Sequence, residues 1–191
     1  MTEKDVYNKM LDDFQDTFEN ASKDTANNAY MTSCQKIVVN IDKFKDEFVK
    51  NMSLTNVPKS CDALYMVSEN EFFMIEFKNG IICVKKNHEI KVKIFESLLM
   101  LSEKFSKTTK FMRDKMNFIL VYNEDIEHGK EQYQDTGENA GKQDICKSLS
   151  KLAKKHFIRF GLHRFKTLYF KDVFTYSKKE FEDEFVLKYC I

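Results

Sequence analysis

The chain has 191 residues, enough to bury one full hydrophobic core, and its 42% apolar and 32% charged residues are typical of a globular domain. No run approaches the roughly 18 uncharged apolar residues of a membrane span, and the acidic, amphipathic N-terminus does not fit a signal peptide. Five scattered cysteines without a CxxC pair exclude a zinc finger and favour reduced thiols, so we expect a cytoplasmic protein without membrane contact.

The net charge of +1 conceals a segregation of charge along the chain. Residues 1–30 contain seven acids and three lysines, whereas residues 147–171 contain eight Lys or Arg and no acid. A basic segment interleaved with Phe and Tyr is typical of a surface that contacts a phosphate backbone. The alternative is a solvated helix face that the acidic N-terminal segment balances, and the pattern alone leaves both interpretations open.

The apolar spacing predicts elements in the order α, α, β, β, β, α, β, α, β, α. The first half is expected to contain an acidic helix over 3–23, a second helix carrying Ile37, Ile41, Phe44 and Phe48 on one face, strands over 63–67, 72–78 and 81–84, and a helix over 89–105. The second half is expected to contain a strand over 117–122, a basic helix over 144–160, a strand over 168–176 and a closing helix that begins with a Ser177–Glu180 capping box.

This mixed order, without an internal repeat or a linker, predicts one α/β domain over residues 1–191, with a mixed central β-sheet flanked by helices. Residues 1–30 are assigned to the acidic N-terminal helix and residues 33–122 to the core. Residues 123–142 lack apolar periodicity and are predicted to be a mobile loop, and 143–191 supply the basic helix, a strand and the closing helix.

Two acids interrupt the apolar stretch "CDALYMVSENEFFMIEFKNG", residues 61–80. Residues two apart in a strand share a face, so Glu76 and Lys78 lie on the same side as Met74. If the two apolar runs pair as a hairpin, the turn at residues 68–71 places Asp62 opposite Glu76, Phe77 or Lys78. In each register Asp62 lies within roughly 5–8 Å of the Glu76–Lys78 pair. The alternative is that Glu76 and Lys78 form an ordinary exposed pair on the strand and that Asp62 caps a turn.

Two carboxylates held close repel each other unless a positive charge lies between them. Mg²⁺, or Mn²⁺ in its place, suits such a pair because it takes one or two carboxylates and accepts substrate phosphate oxygens. The cation can activate a water molecule and stabilise charge on a phosphate, and a nearby lysine can orient that water. The pattern therefore indicates a site for phosphodiester hydrolysis.

This arrangement resembles the PD-(D/E)xK nuclease superfamily over about residues 33–122, with Asp62 followed by Glu76-Phe77-Lys78 in an apolar strand. The resemblance implies a restriction-endonuclease-like core in which Asp62 and Glu76 bind Mg²⁺ and Lys78 assists the attacking water. Cys61 stands where the proline that names the family would be, and no QxxxY-type signature follows Lys78.

The resemblance also implies contributions from the flanking helices. Many members add a glutamate from the helix before the strands, for which Glu47 is the candidate and Asp46 the next choice. Some members place a polar residue of the following helix at the site, and here Lys93 or Ser97 could serve.

The predicted function is therefore that of a Mg²⁺-dependent nuclease acting on DNA, with RNA as the second choice of substrate. The alternative is a catalytically inactive protein-interaction or immunity-type protein on the same scaffold, with a protein partner or a second copy of the chain as its ligand. The candidates for contact with the nucleic-acid backbone are Lys147, Lys151, Lys154, Lys155, Arg159 and Arg164.

Overall fold

The computed structural model describes residues 1–128 and 158–191. These residues contain a six-stranded mixed sheet. The strands lie side by side in sequence order, with antiparallel contacts from β1 to β4 and parallel contacts from β4 to β6. They are β1 Gln15–Thr17, β2 Ile37–Asn40, β3 Ala63–Ser68, β4 Glu71–Lys78, β5 Met116–Tyr122 and β6 Asp172–Ser177.

Helices flank the sheet on both faces, so the domain belongs to the mixed α/β class that the sequence predicted. In the described residues, the helices before β6 are α1 Glu3–Phe14, α2 Phe18–Ala21, α3 Ile41–Asn51, α4 Val84–Phe105, α5 Thr109–Lys115, α6 Glu124–His128 and a 3₁₀ turn at Leu162–Phe165. The closing helix consists of α7 Lys178–Phe181, a π-helical turn Glu182–Val186 and α8 Leu187–Tyr189.

Successive residues of β4 alternate between two hydrophobic cores, one on each face of the sheet. Met74 faces the first core, which α1, α3, α4 and α5 cover. Phe73, Ile75 and Phe77 face the second core, which α2 and the closing helix cover. The predicted alternation of this strand is confirmed, and by the same alternation Glu76 lies on the side of the first core.

The acidic N-terminal helix is shorter than the predicted range of 3–23, because the chain crosses the edge of the sheet within that range. α1 ends at Phe14, and Gln15–Thr17 pairs antiparallel with β2. Phe14 is buried in the first core, whereas Phe18, four residues later, is buried in the second. One continuous helix would place both rings on the same side, so the opposite placement requires the intervening strand.

Residues Ile37–Asn40 form a strand and not the start of the predicted second helix. The first three residues of this segment are β-branched, which favours an extended backbone. The Asn40 side chain then caps α3 by accepting a hydrogen bond from the Lys43 amide at 3.0 Å. The helical spacing correctly identified Ile41 and Phe44, both of which are buried in the first core.

The prediction of a third strand over 81–84 is wrong, because both edges of β4 are already paired. β3 occupies one edge of β4 and β5 occupies the other. The chain therefore leaves the sheet after Asn79-Gly80, and Val84 begins α4 ahead of the predicted start at residue 89. β2 takes the place of the missing antiparallel strand. The apolar stripe of α4, for example Ile90 and Ile94, is buried as predicted.

The hairpin of β3 and β4 is confirmed, and its register is one of the three that the sequence allowed. Ser68 pairs with Glu71, and a bulge between Met66 and Ser68 shifts the pairing by one residue, so that Ala63 pairs with Ile75. Continuing this register by one residue places Asp62 level with Glu76.

In the second half of the chain, β5 and the Ser177–Glu180 capping box are confirmed. β6 begins at Asp172 and not at 168, because Thr167 has a positive φ of 63° and lies in a turn before the strand. Glu124–His128 is a short helix at the start of the predicted loop. The rest of that loop and most of the predicted basic helix lie outside the described residues. In the described part of the chain, each helix is too short or too polar to cross a membrane.

Phe185 is the centre of the second core and supplies the first test of this architecture. Its ring contacts five further aromatic rings from the sheet, α2 and the closing helix itself, and it is 1% exposed. Phe185→Ala should lower the free energy of unfolding by about 3–5 kcal/mol, as large truncations in a core do. Leu187→Ala, at a position 59% exposed, is the control and should change it by less than about 0.5 kcal/mol. Urea denaturation measures both, and equal losses would contradict the assigned core.

Candidate active site

Asp62 is fixed by its neighbours on both sides and by α4. Its amide donates to the Ile75 carbonyl at 3.0 Å, and its carbonyl accepts from the Ile41 amide at 3.1 Å. The amide of Cys61 donates to the hydroxyl of Ser97, a fully buried residue of α4, at 2.8 Å. The Asp62 carboxylate accepts a hydrogen bond from the Phe77 amide at 2.6 Å. The backbone is therefore held where β3 begins, with the carboxylate against β4.

A single ammonium group lies between the carboxylates of Asp62 and Glu76. Lys93 Nζ is 2.7 and 2.9 Å from the two Glu76 oxygens and 3.4 Å from Asp62 Oδ1. The side chains of Glu76, Asp62 and Lys93 are 1%, 14% and 28% exposed. Lys93 and Ser97, the two polar residues of α4 that the sequence singled out, are one helical turn apart and both contact this region. The structure thus brings Asp62 and Glu76 together, as the strand arithmetic predicted.

The cluster contains two carboxylates and one ammonium, and its pKa values reflect that imbalance. Burial is the largest effect on Glu76 and, with the nearby Asp62 carboxylate, raises its pKa to about 8, although Lys93 acts to lower it. Burial also raises the pKa of Asp62, again opposed by Lys93. Burial acts to lower the pKa of Lys93, but the two carboxylates outweigh it and raise that pKa. The site therefore favours a further positive charge, supplied by a proton or by a cation.

The first turn of α3 adds Asp42 beside the cluster, in the place where Glu47 was expected. Asp42 accepts hydrogen bonds from the Ser60 hydroxyl and from Lys45, and its charge acts on the Asp62 carboxyl. Glu47 lies five residues further along α3, is exposed and accepts a hydrogen bond from Asn51. The contacts of α3 with this region thus come from Asp42.

Lys78 lies at the end of β4, two residues beyond Glu76, and is half-buried. It pairs in register with Tyr122 of β5. Its charge contributes to lowering the pKa of Glu76, in opposition to burial and Asp62. Among the described residues, no carboxylate lies within ion-pair distance of Lys78. Its ammonium is therefore not committed to an internal partner in that part of the chain.

Of the residues predicted to contact nucleic acid, Arg159 and Arg164 can be placed. Arg159 is half-buried and lies over the ring of Tyr122. Arg164 is exposed on the 3₁₀ turn Leu162–Phe165. The remaining candidates lie outside the described residues: Lys147, Lys151, Lys154 and Lys155.

Within residues 1–128 and 158–191, no group of three or more His, Cys, Asp or Glu side chains has the arrangement of a metal site. The Asp62–Glu76 pair is smaller than such a group and supplies two carboxylate ligands. Comparison of the chain with protein-family models, with curated proteins and with solved structures finds no match in any of the three.

Sequence reasoning missed Asp42 because it placed the start of the helix too early. With Ile37 counted as part of that helix, Asp42 falls near its middle and not in its first turn. The sequence does carry a signal for the true start, since the polar Asn40 follows three β-branched residues and precedes an apolar helical stripe. An N-cap at Asn40 puts Asp42 in the first turn.

The raised pKa of Glu76 predicts a loss of stability as the pH rises. Its ordinary pKa is 4.5 and its pKa in the folded chain is about 8, so between these values the folded state binds more protons than the unfolded state. The free energy of unfolding should therefore fall across this range, and Glu76→Gln should reduce the fall. Asp62 shifts in the same direction and should leave a residual slope.

Urea denaturation between pH 5 and 8.5, roughly the range that this titration spans, measures the slope. Glu103→Gln is the matched control, since Glu103 is exposed on the last turns of α4. In this variant the free energy of unfolding should change with pH by the same slope as in the native chain. An unchanged slope in Glu76→Gln would contradict the assigned titration.

Proposed function

We propose that the chain is a metal-dependent nuclease that hydrolyses phosphodiester bonds of DNA, with RNA as the second choice. The observation that carries the proposal is the convergence of Asp62 and Glu76, from neighbouring strands, on one point beside the half-buried Lys78. Asp62, Glu76 and Lys93, three charged residues that are distant in sequence, meet where β3 begins and β4 ends. Such an arrangement is costly for stability and is typical of a functional site.

The order of elements supports a restriction-endonuclease-like core. β2, β3 and β4 form an antiparallel meander that α3 interrupts between β2 and β3, α4 and α5 cross over, and β5 then pairs parallel with β4. Apart from the inserted α3, this order is what the resemblance to PD-(D/E)xK nucleases implies, although the first strand of the meander is Ile37–Asn40 and not a strand after β4. Asp62 precedes the middle strand of this meander, and Glu76-Phe77-Lys78 ends the last one.

The donor set at this point fits Mg²⁺ or Mn²⁺. Two carboxylates face each other against one ammonium, so the site attracts one more positive charge. Mg²⁺ needs only one or two protein carboxylates because water and substrate oxygens complete its coordination. When bound, the ion would supply an activated water molecule and stabilise charge on the phosphate. Asp62 and Glu76 are the residues that would hold it.

The chain's own residues have separable parts in this proposal. The carboxylates of Asp62 and Glu76 bind the cation, and the hydrogen bond from the Phe77 amide keeps the Asp62 carboxylate oriented. Lys78 presents an ammonium without an internal carboxylate partner among the described residues, which can orient a water molecule or neutralise the phosphate in the transition state. Lys93 holds the two carboxylates together.

One observation favours the second candidate, an inactive interaction or immunity-type protein on the same scaffold. Lys93 already bridges both carboxylates, so the ion cluster can be satisfied internally and serve as a structural link between α4 and the sheet. Two observations distinguish these functions. A nuclease requires that a cation can replace the Lys93 ammonium between the carboxylates and that phosphodiester bonds are then cleaved.

Plasmid cleavage tests the proposed reaction. With Mg²⁺ or Mn²⁺ the native chain should nick or linearise the plasmid, and Asp62→Asn or Lys78→Met should slow cleavage by roughly 10²–10³-fold, as loss of a group that stabilises the transition state does. Asp114→Asn and Lys110→Met are matched controls at exposed positions of α5. The nuclease proposal fails if neither DNA nor RNA is cleaved, or if the site variants cleave as fast as the controls.

Calorimetric titration with Mn²⁺ tests the cation site independently of any reaction. Asp62→Asn should weaken binding, whereas Lys93→Met should strengthen it by at least about tenfold. Removing an ammonium a few ångströms from the ion relieves a repulsion on the order of 1–4 kcal/mol. Circular dichroism checks that each variant is folded. Weaker binding in a folded Lys93→Met would instead identify Lys93 as a positioning residue that the cation site requires.

A further inference from the structure

A second group of polar side chains lies one step along the sheet from Glu76. Lys78, two residues further along β4, shares the face of Glu76 and pairs in register with Tyr122 of β5. Tyr122 belongs to the same core cluster as Met74 and Leu120, so its ring lies on this face. The parallel pairing of β4 and β5 therefore places Lys78 and Tyr122 side by side, next to the two carboxylates.

Arg159 lies on the ring of Tyr122, and its backbone is fixed there. The guanidinium carbon is 5.2 Å from the ring centroid, and Phe160 packs edge-on against the same ring at 5.6 Å. The Arg159 amide donates to the Thr175 hydroxyl at 2.9 Å, and the Phe160 carbonyl accepts from the Asn87 side chain at 3.1 Å. Contacts from β6 and α4 thus hold this segment over β5.

The backbone after Arg159 adopts an unfavourable conformation. Phe160 has a φ of 59° and Gly161 a φ of 66°, so two successive residues are in the left-handed region. Glycine adopts this region freely, but for a residue such as Phe it costs roughly 1–3 kcal/mol. The strain is retained in a segment that packing and hydrogen bonds hold in place, which turns the chain immediately after Arg159.

The two cations are not neutralised by acids in the described part of the chain. No carboxylate there lies within ion-pair distance of Lys78 or Arg159. Both residues are half-buried. Two cations beside the same Tyr122 ring, without anionic partners in the described residues, favour an anionic ligand.

We infer that Lys78 and Arg159, with Tyr122 as the floor beneath Arg159, form a phosphate-binding subsite beside the candidate active site. Its ligand is a phosphate group of a nucleic-acid strand, adjacent to the bond that the proposed nuclease cleaves. The planar guanidinium binds two phosphate oxygens at once, and stacking on Tyr122 fixes its plane before the ligand arrives. Lys78 supplies a second charge from the side of Glu76. The inference depends on the proposed function only for the role of the bound strand.

Binding of a fluorescein-labelled single-stranded DNA oligonucleotide, measured by anisotropy in EDTA, tests the subsite without any reaction. Arg159→Gln should weaken binding about tenfold, the effect of one strong charge-assisted contact. Arg159→Lys, which keeps the charge but loses the planar fork, should weaken it less. Arg113→Gln is the matched control, because Arg113 is exposed on α5, before the start of β5, and its substitution makes the same change in net charge.

The salt dependence of binding separates a phosphate contact from a structural effect. Loss of one contact to a single strand should reduce the log–log slope of affinity against salt by about 0.7 in Arg159→Gln and not in Arg113→Gln. Tyr122→Leu should resemble Arg159→Lys, since it removes the floor but not the charge. Circular dichroism and urea denaturation confirm that the compared variants are folded.

Competition with a mononucleotide and with inorganic phosphate identifies the source of the phosphate. If a mononucleotide displaces the DNA from the native chain, and does so less well in Arg159→Gln, the subsite binds a terminal phosphate. If only longer strands displace the DNA, the subsite binds the backbone diester. Equal affinities and salt slopes for Arg159→Gln and Arg113→Gln overturn the subsite. Loss of DNA binding in Arg159→Gln without cleavage by the native chain would keep the subsite and remove the nuclease.

Discussion

The pairing of β3 with β4 is the constraint on which the candidate site depends. The hairpin has a two-residue turn, but the bulge between Met66 and Ser68 moves the register by one residue, so Asp62 lies level with Glu76. A one-residue slip in a strand would turn every side chain to the other face. Both faces of β4 are buried in cores of different composition, so such a slip is strongly disfavoured. The packing of the whole sheet therefore fixes the distance between the two carboxylates.

Burying a glutamate at 1% exposure has a cost that the fold must offset. Lys93 offsets part of it through two short contacts, but one ammonium does not balance two carboxylates. A core built for stability alone would place an apolar residue at position 76, as it does at Met74. A proton on Glu76 offsets the remaining imbalance below about pH 8, and a bound cation would offset it without the proton, which is the physical basis for considering a cation at this point.

The sequence was informative where one periodicity held over a whole element. It identified β4, β5 and the stripe of α4 correctly, because burial on a sheet face or helix face imposes a regular spacing, and so it placed Glu76 and Lys93 near Asp62. It was wrong where the chain changes element within one apolar pattern. Phe14 and Phe18 are at helical spacing but lie on opposite faces of the sheet. Ile37 likewise belongs to a strand, although its spacing to Ile41 is helical. Only the tertiary pairing of β1 with β2 decides these cases.

The error over the third strand also has a consequence for the chemistry of the site. An antiparallel strand after Asn79-Gly80 would have run back along β4 and placed residues 81–84 beside Lys78. The parallel strand β5 instead ends at the same end of the sheet as β4, so Tyr122 is beside Lys78. The loops after both strands meet there. Ligands in open α/β sheets bind at the carboxyl ends of parallel strands, where loops replace the ladder. The parallel crossover thus puts Tyr122 and Lys78 at the same end of the sheet as the carboxylates of Asp62 and Glu76, and the segment held by β6 and α4 adds Arg159 over Tyr122.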